Sequence, residues 1–134
     1  PELEIILNGG LQAPQAAQAV LTSNGGIPLD GVMLGRSIYA APYLLANVDH
    51  LFFSEESYAV ARCEVVTKYF DYARTMVQRG ARPHHIFRHI VGLYHGCTGA
   101  RIWRQAVTRI GQGADSSNLY KLAQSLDTGL FLAA

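Results

Sequence analysis

The chain has 134 residues, of which 49% are hydrophobic and 16% charged, and a formal net charge of +1. That balance describes a globular protein and excludes a disordered one, and no apolar run reaches the ~18–20 residues that cross a bilayer. Two cysteines, Cys63 and Cys97, exclude a disulfide framework and point to a reducing, cytoplasmic setting. No basic segment followed by an apolar one opens the chain, so no secretory signal is read. It starts at Pro1, directly before a strand, so a natural amino terminus is expected upstream.

Residues 3–7 mix Leu, Ile and Glu, which predicts a short strand buried on most of its surface. The corner Asn8-Gly9-Gly10 follows. Residues 14–22 then read as a helix, with Pro14 in its first turn and Asn24-Gly25-Gly26 as its stop. Pro28-Leu29-Asp30 leads into a second strand over 31–34, closed by a second corner, Gly35-Arg36. Pro42 opens a further helical stretch over 43–51. This is a βαβ unit with a glycine corner after each strand. Bare N–H groups at the carboxyl ends of two adjacent parallel strands can close around a phosphate. In (β/α)8 barrels such a site is often built from the loops after strands seven and eight. Arg36 is then placed to pair with the anion. The plainer alternative makes the glycines ordinary turn residues and Arg36 a surface charge at a helix start. Two strands and one crossover helix leave open sheet edges, so residues 1–53 are expected to end a larger α/β domain. The missing amino-terminal part of that domain is then a partner in folding, and the open edges favour self-association.

From residue 54 onward the pattern turns helical. Ser54 is placed as an N-cap, with Glu55 and Glu56 in the first turn. Tyr58, Ala61, Val65, Tyr69, Tyr72 and Met76 stripe one long helix to about Arg79, ended by Gly80 and Pro83. Ile86, Ile90, Leu93 and Tyr94 stripe a second helix, stopped at Gly96. Thr98 is expected to cap a third, with Ile102, Ala106, Val107 and Ile110 inward. Ser116, Ser117 or Asn118 caps a fourth, with Leu119, Leu122, Ala123 and Leu126 inward. Residues 54–134 therefore predict a helical bundle.

Charge is segregated along the chain. Residues 1–61 carry −5, residues 62–109 carry +7 and residues 110–134 carry −1, and eight of the nine bases in the middle segment are arginine. Arginine suits forked contacts with phosphate, so the segment reads either as a polyanion-facing surface or as an ordinary solvated helical face. Arg101 and Arg104 are three apart and share a helix face, which Gln105 and Thr108 continue. His84, His85, His89 and His95 include one i, i+4 pair, His85 and His89. No acidic or cysteine ligand is near in sequence, so interhelical hydrogen bonding or contact with the polyanion is expected there and no metal site is assigned. Trp103 is expected in the bundle core, with base stacking as the alternative. Cys63 and Cys97 are expected to be structural thiols.

Three stretches, taken in order, resemble the end of the barrel of tRNA-dihydrouridine synthases. They are Leu7-Asn8-Gly9-Gly10, Leu29-Asp30-Gly31-Val32-Met33-Leu34-Gly35-Arg36 and Ala41-Pro42-Tyr43-Leu44-Leu45. The run from His85 to Gly96 and Gly99-Ala100-Arg101-Ile102-Trp103-Arg104 resemble the carboxyl-terminal helical domain of that family's A subfamily. The resemblance covers residues 1 to about 126. It implies the last two βα units of a (β/α)8 TIM barrel over 1–53 and a tRNA-binding helical domain over 54–134. It further implies an FMN enzyme that reduces D-loop uridines of tRNA to dihydrouridine, with NADPH recharging the flavin. Asn8, Gly9, Gly10, Gly35 and Arg36 would bind FMN phosphate, and Arg101 and Arg104 would touch the RNA. The family's catalytic cysteine, a general acid, belongs to an earlier barrel loop and nothing here matches it. No catalytic residue is therefore assigned, and this chain alone is expected to be inactive. A stand-alone helical RNA-binding module, and another barrel enzyme with a phosphorylated substrate, are the rival readings.

Overall fold

A computed structural model describes residues 3–23, 28–53 and 59–129. The chain divides into two compact units, Pro1–Ala59 and Val60–Ala134.

In the first unit, strand β1 (Ile6–Asn8), helix α1 (Pro14–Thr22) and strand β2 (Gly31–Met33) follow one another as expected. The strands pair in parallel, with Ile6 opposite Gly31, Leu7 opposite Val32 and Asn8 opposite Met33. Asp30 clamps the start of this pair twice. Its N–H donates to the Ile5 carbonyl at 3.0 Å, and its carboxylate accepts the Ile5 N–H at 2.7 Å. Gly31 is there for room: a Cβ would lie 2.8 Å from Cδ1 of Ile6, closer than packed carbons come. Helices α2 (Arg36–Ala40) and α3 (Val48–Phe53) complete the unit, joined by a 3-10 turn over Pro42–Asn47. The Gln18 amide of α1 donates to the Leu51 carbonyl of α3 at 2.7 Å.

The expected burial of residues 3–7 is corrected. Pairing starts only at Ile6, Leu3 is 87% exposed and Ile6 52% exposed. Among the described residues the sheet has two strands, and Pro14 and Ala17 are the buried residues of this unit. A parallel pair so small leaves apolar side chains such as Met33 and Phe53 uncovered. The stretch over 43–51 is divided between the 3-10 turn and α3. The Asn24-Gly25-Gly26 stop lies outside the described residues.

The second unit contains α4 (Arg62–Gln78), α5 (Pro83–Phe87), α6 (Ala100–Gly111) and α7 (Leu119–Asp127). Helix α4 packs on α5 and α7, and α6 packs on α5 and α7. Val66, Trp103, Val107 and Ala123 are fully buried at the centre.

Helix α4 does not start near Ser54. It starts at Arg62, because Ala61 is extended (φ −57°, ψ 143°); Ser54, Glu55, Glu56 and Tyr58 lie outside the described residues. The cap comes from the far end of the unit: the Asp127 carboxylate accepts the Cys63 N–H at 2.8 Å. The buried stripe is also turned. Val66 and Ala73, seven residues apart, enter the core, Val65 and Tyr69 are half-buried, and Tyr72 is 51% exposed.

The second predicted helix shortens to α5, a 3-10 turn over Arg88–Ile90 and further turns to residue 99. Side chains explain this. The Tyr69 hydroxyl donates to the Ile86 carbonyl at 2.7 Å, the Trp103 indole N–H to the Ile90 carbonyl at 2.8 Å, and Nε of Arg62 to the Leu93 carbonyl at 3.0 Å. Carbonyls satisfied from neighbouring helices no longer hold the chain to an α-helical ladder. The side chains of Ile86, Ile90, Leu93 and Tyr94 are nonetheless buried as expected.

Thr98 does not cap α6. Gly99 precedes it at φ 83°, and a Cβ on Gly99 would overlap the Leu126 side chain. Asn118 precedes α7 without a side-chain cap bond, and the Asp115 carboxylate instead accepts the Ser117 N–H at 3.0 Å and its hydroxyl.

The Tyr94 hydroxyl shares its proton between the Ala123 carbonyl and the Asp127 carboxylate, both at 2.9 Å, and the Arg62 guanidinium lies 5.4 Å from its ring centre. Burial, then the bond to Asp127, push the Tyr94 phenol far above its ordinary value. A raised phenol leaves stability intact below the unfolded value of about 10 and erodes it as pH rises beyond that. Urea melts should therefore show stability falling above about pH 10, less steeply in Tyr94→Phe, which should also lose about 1 kcal/mol at neutral pH.

Candidate functional site

Each unit carries one candidate surface. In the first, the strand register decides the geometry. Because Asn8 stands opposite Met33, the Asn8-Gly9-Gly10 corner and the Leu34-Gly35-Arg36 corner leave the same end of the sheet. Gly9 and Gly10 have φ of 103° and 75°, a region that favours glycine, and nothing lies within 4 Å of where a Cβ would project. Gly35 has an ordinary φ of −96°, so its value there is the absence of a side chain beside the bare N–H. Asn8, Gly9, Gly10, Gly35 and Arg36 are all exposed, and Arg36 forms no ion pair among the described residues. Two corners rich in backbone N–H groups beside one guanidinium can receive a small anion such as a phosphate. Ser37, the next residue, has a hydroxyl oxygen out of water and without a hydrogen-bond partner among the described residues. No pattern in the sequence marks that oxygen, because its burial depends on the packing of this unit.

In the second unit, α6 buries Trp103, Val107 and Ile110, which forces its opposite face outward. There Arg101, Arg104, Gln105, Thr108 and Arg109 line an open groove of about 320 Å³. All five are exposed, and the three arginines form no ion pair among the described residues. Sequence spacing joins Arg101, Arg104, Gln105 and Thr108. It misses Arg109, although the i, i+4, i+8 run through Arg101, Gln105 and Arg109 carries that signal. Trp103 takes the core position: its indole N–H is bonded to Ile90 and its ring centre is 4.8 Å from that of Tyr94. The base-stacking alternative is thereby set aside.

The α-helix passes at Phe87 into the 3-10 turn that carries His89. The His85 ring centre lies 4.1 Å from that of His84, and the His89 ring accepts from Nε of Arg88 at 3.5 Å. No group of three or more His, Cys, Asp and Glu side chains converges among the described residues. The charge of His84, with burial and the nearby Arg88 and Arg82 adding to it, lowers the His85 imidazole below its ordinary value. Cys63 and Cys97 are free and half-buried. Burial, followed by the hydrogen bond with Asp127, raises the Cys63 thiol and makes it less reactive.

No helix among the described residues is long and apolar enough to cross a membrane.

The family model for dihydrouridine synthase matches residues 1–127. The chain is 39% identical over 126 residues to the tRNA-dihydrouridine(20/20a) synthase of Pseudomonas putida, an alignment covering 94% of this chain and 34% of that protein. It is 37% identical over 130 residues to the protein of the same name from Pseudomonas aeruginosa, covering 96% of this chain and 38% of that protein. Against the one from Shewanella oneidensis it is 37% identical over 135 residues, covering 97% and 38%. The chain thus spans little more than a third of the length of these relatives.

In an NMR pH titration His85 is expected to titrate below the usual histidine value of about 6.5, and His84→Asn should move it upward, because His84 is the largest cause of the shift.

Proposed function

Because the chain belongs to the dihydrouridine synthase family, we propose that it supplies two parts of a tRNA-dihydrouridine synthase. These are the cofactor-phosphate end of a TIM barrel and a helical tRNA-binding domain. The whole enzyme would reduce D-loop uridines of tRNA with FMN and NADPH, in the cytoplasm. The relatives' name, tRNA-dihydrouridine(20/20a) synthase, supports the substrate. Residues 1–53 are read as the last two βα units of the barrel. The uncovered apolar face of the β1–β2 pair supports a larger sheet around it.

The observation that carries the reading is the β1–β2 register, which brings the Asn8, Gly9 and Gly10 corner beside Gly35 and Arg36. The residues fit a phosphate: left-handed glycines with open space above them, and a guanidinium without a carboxylate partner among the described residues. We assign the FMN phosphate to these five residues. FMN, when bound, supplies the hydride that reduces the uracil ring. The chain's own task is to hold the phosphate and thereby fix the cofactor against the substrate. No residue of this chain is assigned a proton-transfer step, and Cys63 and Cys97 stay outside the chemistry. The chain by itself is therefore read as inactive. Arg101 and Arg104 are assigned to the tRNA, since an extruded base reaches a flavin only when the rest of the molecule is gripped elsewhere.

Two measurements on the complete enzyme test this reading. Arg36→Ala should purify with a lower flavin-to-protein ratio and bind FMN roughly ten- to a hundredfold more weakly, the loss expected for a charge-assisted contact. Unchanged flavin occupancy would count against the phosphate assignment. Replacing Arg101 and Arg104 together by Glu should raise the apparent KM for tRNA at least roughly tenfold while the rate of flavin reduction by NADPH stays the same. Equal damage to both half-reactions would refute the division of labour. A complete enzyme that binds tRNA but no flavin would favour a helical RNA-binding module.

A further inference from the structure

We propose that the α6 groove holds one strand of RNA backbone and distinguishes it from DNA through the sugar 2′-hydroxyl, received by Gln105 and Thr108 between phosphate-binding arginines. The proposal rests on the RNA reading of this surface and names the feature of the RNA that is read. Five side chains line the groove, and three of them are arginines. Guanidinium groups only donate hydrogen bonds, which suits phosphate oxygens, acceptors only. A 2′-hydroxyl also donates, and it needs an acceptor. The acceptors among the lining side chains are the Gln105 amide oxygen and the Thr108 hydroxyl oxygen.

The Thr108 proton is already committed to the Arg104 carbonyl at 2.8 Å, so that oxygen offers lone pairs to the groove. Gln105 offers both an acceptor and two donors, matching a hydroxyl in either direction. Helical geometry puts the two in the middle. Arg101, Gln105 and Thr108 fall within a stripe ~60° wide, and Arg104 and Arg109 flank it on opposite sides. From Arg101 to Arg109 the floor runs about 12 Å along the axis, enough for more than one nucleotide. Arg109 becomes a third phosphate contact beside Arg101 and Arg104. DNA would satisfy the arginines and leave the two acceptors without their donor.

The test compares binding of an unmodified tRNA transcript and its all-DNA counterpart of the same sequence by the complete protein. Gln105→Leu, on an exposed position, should lower affinity for the transcript roughly three- to tenfold and leave that for DNA unchanged. Arg109→Ala should weaken both polymers alike and reduce the slope of log affinity against log salt by about one. If Gln105→Leu affects the two polymers equally, or neither, the proposal is overturned while RNA binding stands. If the unsubstituted protein does not bind the transcript, the RNA reading falls and the proposal with it.

Discussion

The helical unit depends on three backbone carbonyls being satisfied by side chains of other helices. Ile86, Ile90 and Leu93 send their apolar side chains into the core, while their carbonyls accept from Tyr69, Trp103 and Arg62. Buried carbonyls must find donors, and a helix normally provides them from within. Here α4 and α6 add donors to the local ones, such as the Leu93 N–H on the Ile90 carbonyl at 3.1 Å, so the segment after α5 can leave the α-helix and turn tightly toward Gly99. That turn sets where α6 begins. With Trp103 drawn inward to Ile90, the Arg101–Arg109 face has no choice but to look outward.

A second set of contacts closes the same unit end to end. Asp127, the last residue of α7, accepts from the Cys63 N–H in the first turn of α4 and from the Tyr94 hydroxyl between them. One carboxylate thereby does the work of an N-cap for α4 and of a partner for a buried phenol. The Arg62 guanidinium beside the Tyr94 ring adds a favourable cation–π contact at the same junction. The result is a small helical body whose Tyr94, Trp103 and Asp127 are tied to groups of the same unit, while Arg101, Arg104 and Arg109 of α6 stay exposed along the groove.

The first unit is built differently. Its strands are held by a short parallel ladder and by Asp30, with little apolar burial behind them. Parallel sheets gain their stability from covered faces, and here Ile6 and Met33 of the two paired strands are both exposed. The same arrangement suits a phosphate site: exposed glycine corners at the carboxyl ends of two strands, borne on a backbone whose register is fixed by Asp30 and by the close fit of Ile6 over Gly31.

Much of this was legible in the residues alone. The helix over Pro14–Thr22 and the strand from Gly31 follow from proline, glycine and apolar spacing, which act within a few residues. The basic face of α6 is likewise local, because positions three and four apart on a helix always share a side. What the residues alone did not determine depends on partners distant in sequence. The start of α4 waits on Asp127, the short α5 on Tyr69, Trp103 and Arg62, and the buried stripe of α4 on which face α5 and α7 present to it. Propensity and periodicity are sums over neighbours along the chain. The satisfaction of a buried polar group is settled by whatever donor the tertiary structure brings within about 3 Å, and only there was the form of this protein decided.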